Sequence, residues 1–265
     1  MMLVMKLNKN RNPIKSGFEW YRVAYICIPL LIFAVYLNTA NNHFYHRLHT
    51  AELVWPQKNV NYTVGNSNGT ALKYVALGDS LTTGVGADTF NQSYSYIVAQ
   101  KIVKPNQQIV LTPFATPGYK SRDVLTQYVD KAIQIQPDII TILIGVNDAH
   151  GMTPSTKEFA STYGTIVASL RNNTKARVYL IAIPAIGSNN VLWQPYRVYY
   201  SSRTQQFNAI IKDTAKRNGA KYIDLYTATK PYAATNTSYY SRDEFHPSAV
   251  GYAVWSKVIA DDINR

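Results

Sequence analysis

Ser80 stands in the run Gly78-Asp79-Ser80-Leu81, and His246 closes the run Asp243-Glu244-Phe245-His246. A serine hydroxyl is a weak nucleophile until a base takes its proton. Histidine, with an ordinary pKa of ~6.5, accepts and returns a proton near neutrality. Asp243 lies three residues before His246 and can hold the imidazole tautomer from the same loop. Acyl transfer also needs fixed donors for the oxyanion, each contributing roughly 10²–10³ in rate. Gly118, in Thr116-Pro117-Gly118-Tyr119, and Asn147, in Gly145-Val146-Asn147-Asp148, supply such donors together with the backbone N–H of Ser80. Each residue has a plainer reading: Ser80 as a helix cap, Asn147-Asp148 as a turn, His246 as a loop residue before Pro247. Their joint presence in one order favours chemistry. Asp79 and Asp148 are read as loop-holding carboxylates and His150 as a loop residue near the site.

These pieces act together only if the fold converges them. From Ala71 onward, short β-like runs alternate with helical stretches. Residues 73–77, 109–114, 139–144, 177–183 and 221–225 are predicted strands, several of them continuous apolar runs as expected of strands covered on both faces. Residues 93–103, 121–135, 156–172, 201–218 and 248–263 are predicted helices, the fourth stopped by Asn218-Gly219. Such alternation argues an α/β fold with a parallel sheet, in which ligands bind beyond the carboxyl ends of the strands. The candidate residues follow those ends. A second serine motif, Gly65-Asn66-Ser67-Asn68-Gly69, matches the nucleophile elbow G-x-S-x-G but is followed by a strand-like run rather than a helix, so it is read as a hairpin turn.

In the four blocks Gly78-Asp79-Ser80-Leu81, Gly118, Gly145-Val146-Asn147-Asp148 and Asp243-Glu244-Phe245-His246, the chain resembles the SGNH hydrolases, the GDSL esterases and lipases. The resemblance covers residues 71–265. It implies a flavodoxin-like three-layer α/β/α sandwich, here with a mainly parallel five-stranded sheet. It also implies Ser80 as nucleophile, His246 as base, Asp243 as its partner, and Ser80, Gly118 and Asn147 as the oxyanion hole. Substrate contacts are assigned to Trp193, Tyr196 and Tyr240, whose segments leave the same strand ends. Aromatic clusters also serve as core, and both readings stand. The neighbouring Asn189, Asn190, Gln194 and Ser201 incline the reading toward a polar, carbohydrate-type ester.

The rest of the chain is read as targeting. Residues 1–22 carry five basic side chains against Glu19 alone, and an uncharged run, VAYICIPLLIFAVYL, follows at 23–37. That pattern marks an N-terminal segment for a membrane. We divide the chain into a basic cytoplasmic N-terminus (1–22), a transmembrane signal anchor (23–38), a stalk (39–70) and the hydrolase domain (71–265), with a cleaved signal and a secreted enzyme as the alternative. The formal charge is +12, and residues 71–265 hold 20 Lys and Arg against 13 Asp and Glu without any basic tract. This excludes a nucleic-acid footprint and leaves adhesion to an anionic cell-surface polymer as a partner expectation. The single cysteine, Cys27, excludes an intramolecular disulfide. His43, His46 and His49 recur every third residue without a carboxylate set, so no metal and no cofactor is expected. The expected function is a membrane-anchored extracytoplasmic serine esterase acting on short acyl esters of carbohydrate or on lipid esters. An acyltransferase with the same triad and a non-catalytic surface binder are the alternatives.

Overall fold

One of the two central strands of the sheet is buried along its whole length and the other along its second half, because a parallel strand packed on both faces has no polar side to show. In this computed structural model, which describes residues 20–56, 61–151, 153–235 and 237–265, six strands form one sheet. They are β1 (Tyr62–Gly65), β2 (Thr70–Gly78), β3 (Gln107–Ala115), β4 (Ile139–Leu143), β5 (Arg177–Ile181) and β6 (Lys221–Ile223). Their order is β1-β3-β2-β4-β5-β6, parallel throughout except for β1, which runs antiparallel on β3. In β2, Tyr74, Val75, Ala76 and Leu77 are wholly buried. Tyr74 can lie there because its hydroxyl meets Thr141 Oγ1 of β4 at 2.9 Å, which satisfies both polar groups.

The strand count corrects the expected five. β1 is a four-residue edge strand whose partner lies some 45 residues further on, and so short an element carries little periodicity. The Gly65–Gly69 segment is a turn, with the Gly69 N–H donating to the Asn66 carbonyl, but it is not a hairpin. The strands it joins, β1 and β2, both pair with β3, which lies between them. Ser67 is exposed.

The helices are α1 (Trp20–Thr50), α2 (Ser80–Thr83), α3 (Tyr94–Ile102), α4 (Ser121–Gln127), α5 (Val129–Ile135), α6 (Val146–His150), α7 (Thr156–Asn173), α8 (Tyr196–Asn218), α9 (Leu225–Thr235) and α10 (Ala249–Asn264). The predicted helix over 121–135 is two helices broken at Tyr128. α8 starts five residues earlier than expected, directly after Pro195. Right-handed crossovers require the helix between β2 and β3 to lie on one face, and those between β3, β4, β5 and β6 on the other. The packing agrees: α3 meets α10, whereas α4, α5 and α8 each meet α7. Connections from β2 and from its neighbour β4 therefore leave to opposite faces, which opens a crevice between their carboxyl ends. Gly78, Ala115 and Leu143 end their strands in one register row, so the three following loops rise from one level.

Two compact units are present, residues 1–39 and residues 40–265. In the first, α1 is long and apolar enough to cross a membrane, and Tyr25, Ile26, Leu30, Leu31 and Ile32 are each more than half exposed. Most of the basic N-terminus lies outside the described residues. In the second unit the segment read as a stalk is helical as far as Thr50 and packed: Phe44 is 2% exposed.

Candidate active site

Ser80 opens α2 immediately beyond β2. Asp79 caps that helix, its Oδ1 accepting from the Leu81 N–H at 3.0 Å, so the serine is released from the capping role and its side chain is available. The Ser80 hydroxyl and His246 Nε2 lie 2.9 Å apart, and His246 Nδ1 lies 2.6 Å from Asp243 Oδ2. The other carboxylate oxygen, Asp243 Oδ1, accepts from Ser241 Oγ, the Phe245 N–H and the His246 N–H at 2.8–3.0 Å. Burial works against ionisation of Asp243, and the bonds from His246, Phe245 and Ser241 outweigh it, holding the carboxyl below its ordinary value. An ionised acceptor on Nδ1 leaves Nε2 as the lone-pair nitrogen facing the serine.

The loop carrying this pair is closed on itself. The Ser241 N–H donates to the His246 carbonyl, the Glu244 N–H to the Ser241 carbonyl and the Ser248 N–H to the Tyr239 carbonyl. Glu244 adopts φ +58°, a conformation that costs a non-glycine residue of order 1 kcal/mol. It is held there from outside the loop. The Ser188 N–H donates to the Glu244 carbonyl at 2.8 Å, Ser188 Oγ donates to Glu244 Oε2 at 2.7 Å, and Arg47 donates to Oε1.

Asn147 is the second residue of α6. Its amide nitrogen donates to the Tyr119 carbonyl at 2.9 Å and to Asp79 Oδ2 at 3.4 Å, which turns the NH₂ toward the serine loop. Gly145, which starts that helix at φ +126°, has no room for a side chain: a Cβ would sit 2.8 Å from Ile183 Cδ1. Gly118 differs. It too needs positive φ, at +83°, but a Cβ there would meet no protein atom within 4 Å, so its backbone fronts open space. Asp148 accepts from both the N–H and the hydroxyl of Ser121, tying α6 to the start of α4.

Ser80, Gly118, Asn147 and His246 line one cavity of about 500 Å³, whose floor is completed by Val85, Pro117 and Phe245. The structure thus brings together the nucleophile, base, acid and oxyanion candidates. Trp193, Tyr196 and Tyr240 lie elsewhere. Trp193 stacks on His43 at 4.5 Å, the Tyr196 hydroxyl lies 2.6 Å from His150 Nδ1, and the Tyr240 hydroxyl donates to the Ala233 carbonyl. None of the three borders the cavity that holds Ser80. His150 is stacked between Phe44 and Tyr200, and burial, with the neighbouring His246 adding to it, pushes its pKa down to about 3, so it stays neutral. Among the described residues no cluster of His, Cys, Asp and Glu could hold a metal ion. His43 instead engages the Asn190 carbonyl, at 3.0 Å.

The remaining wall of the cavity comes from outside the four sequence blocks. Tyr45, Leu48, His49, Glu52, Leu53 and Trp55 border it from the end of α1 and the residues just after. The available signal was the helical spacing of Phe44, Tyr45 and Leu48 within an otherwise polar stretch.

Residues 76–254 match the family described as GDSL-like lipase/acylhydrolase. The spore germination lipase LipC of Bacillus licheniformis is 26% identical over 207 residues, which span 70% of this chain and 93% of that protein. The GDSL-like esterase Rv1075c of Mycobacterium tuberculosis is 28% identical over 185 residues, 67% of this chain and 57% of that one. Among solved structures, a lipase/acylhydrolase from Enterococcus faecalis superposes with a TM-score of 0.58 at 22% identity, covering 72% of this chain and 95% of its own. Axe2, an acetylxylan esterase from Geobacillus stearothermophilus, superposes with a TM-score of 0.58 at 19% identity, covering 76% of this chain and 97% of its own.

Proposed function

Because this chain belongs to the GDSL-like lipase/acylhydrolase family, we propose that Ser80, His246 and Asp243 form the triad of a serine ester hydrolase. His246 Nε2 takes the proton of Ser80 Oγ as that oxygen attacks the ester carbonyl carbon. The imidazolium so formed is stabilised by Asp243, which remains ionised. Negative charge on the former carbonyl oxygen is met by the Ser80 N–H, the Gly118 N–H and the Asn147 amide. Collapse breaks the bond to the alcohol oxygen, which leaves with the proton from His246. Water then repeats the sequence on the acyl-enzyme: His246 removes its proton, the hydroxide oxygen attacks, and Ser80 leaves reprotonated with release of the carboxylic acid.

The observation that carries this reading is the relay from Ser80 Oγ through His246 to Asp243, at 2.9 and 2.6 Å. Ser80→Ala is expected to lower hydrolysis of a p-nitrophenyl ester by at least about 10³-fold and to abolish labelling by a fluorophosphonate probe. Undiminished labelling of that variant would overturn the assignment.

The substrate is an ester with a short acyl group on a carbohydrate or lipid alcohol. The esterase and lipase relatives support ester chemistry, and the acetylxylan esterase that shares the fold supports a carbohydrate alcohol. Residues 23–38 act as an uncleaved anchor, with residues 1–22 on the cytoplasmic side and the hydrolase outside. Supporting this are the basic flank and the exposure of the apolar side chains of α1, which water would not tolerate in such number on one helix.

A further inference from the structure

The cavity beside Ser80 has two walls of different origin. One belongs to the hydrolase fold: Val85 and Phe245 are almost fully buried there. The other comes from residues 45–55, and its apolar members are only partly covered by protein, Leu48 packing against the core along one side. Trp55 is 63% exposed and Tyr45 44% exposed, with Leu48 and Leu53 half-buried. Apolar side chains that border a cavity and remain wet gain free energy when an apolar ligand displaces that water.

The helical part of this wall is held in place. Phe44, one residue before it, packs edge-on to Phe245 at 5.4 Å and stacks on His150 at 4.8 Å. Arg47 pairs with Glu244. The segment is therefore tied to the two residues that immediately precede His246. Burial opposes ionisation of Glu244, and bonds from Ser188, Asn190 and Arg47 outweigh it, which keeps the partner of Arg47 charged.

We infer that residues 45–55 form an acyl-binding subsite, with Leu48, Leu53 and Trp55 as specificity-determining residues for an apolar acyl chain longer than acetyl. This inference rests on the triad reading above. The size agrees: a cavity of ~150 Å³ accommodates a six-carbon benzene ring, and this one, shared with the ester group, is about 500 Å³. It leaves room for an apolar chain beyond the acetyl group. An acetyl group would leave Leu48, Leu53 and Trp55 in water.

The test is a profile of kcat/KM across p-nitrophenyl esters from acetate to laurate, using the full-length chain in detergent micelles. Wild type is expected to prefer hexanoate over acetate by at least about tenfold, since each methylene that enters an apolar site multiplies the rate severalfold. Leu53→Ala and Trp55→Ala should each lower the hexanoate-to-acetate ratio by about threefold or more. Leu48→Trp, which fills the subsite, should move the optimum back toward acetate. Acetate preference in wild type, or a ratio that none of the three substitutions moves, would overturn the subsite. Ser80→Ala, assayed beside them, reports separately on the triad: turnover surviving in that variant would overturn the triad reading, whatever the profile.

Discussion

Asp79 is wholly buried one residue before Ser80, with no cation paired to it among the described residues. Burial, partly offset by the bond from Leu81 and reinforced by the nearby Asp148, pushes its pKa up from 3.8 to about 8. The folded chain then binds the Asp79 proton more tightly than the unfolded chain. The stability it contributes is fully present below about pH 4 and is lost as the pH rises through about 8. Asp79→Asn keeps the cap, since an amide oxygen still accepts from Leu81, but removes the titration. The melting temperature of wild type is expected to fall relative to that of the variant as the pH is raised from 5 to 9, as measured by thermal unfolding in a pH series. A constant difference across the series would contradict the buried, protonated carboxyl. Such loop residues were legible in the sequence because their chemistry depends on type and order. Trp193, Tyr196 and Tyr240 were read from aromatic content alone, which does not say where a ring points, and none of them borders the Ser80 cavity.

At the scale of elements, the layer of α7 and α8 is joined by Phe159 and Phe207, both fully buried and stacked 4.1 Å apart. Phe207→Ala should cost about 3–5 kcal/mol through the cavity it leaves. The drop should show as a lower urea midpoint with an unchanged slope, and kcat of the folded fraction should stay as in wild type. A shift below about 1 kcal/mol would mean that the layer closes over the gap. The strands and main helices were readable because parallel strands are continuously apolar and the helices between them amphipathic. Three features were not readable. β1 is too short and pairs with a strand far along the chain. α9 (Leu225–Thr235) begins directly after β6 and contains Pro231, a helix-breaking signal. The end of α1 buries one large side chain, Phe44, amid Asn and His, a composition that reads as a linker.

At the scale of the whole molecule, the division at residues 39 and 40 separates an apolar helix segment from the unit that holds the cavity and every candidate site residue. Full-length protein is expected in the membrane pellet after an alkaline carbonate wash. A chain shortened to residues 40–265 should move to the supernatant and keep kcat/KM on a soluble ester within about twofold. Pelleting of the shortened chain would assign membrane attachment to the hydrolase unit instead. The contact between Arg47 and Glu244 also has a consequence for biosynthesis. The two residues lie 197 positions apart, so at about 5–20 residues per second the ribosome delivers the second some 10–40 s after the first. Ser80 emerges early in that interval, whereas the partners proposed for it, Asp243 and His246, follow only at its end. On the proposed triad, a nascent chain carries its long apolar helix and Ser80 well before it can cleave an ester. On the triad proposed above, a chain stalled anywhere before Asp243 lacks both the base and its partner and is inert toward esters.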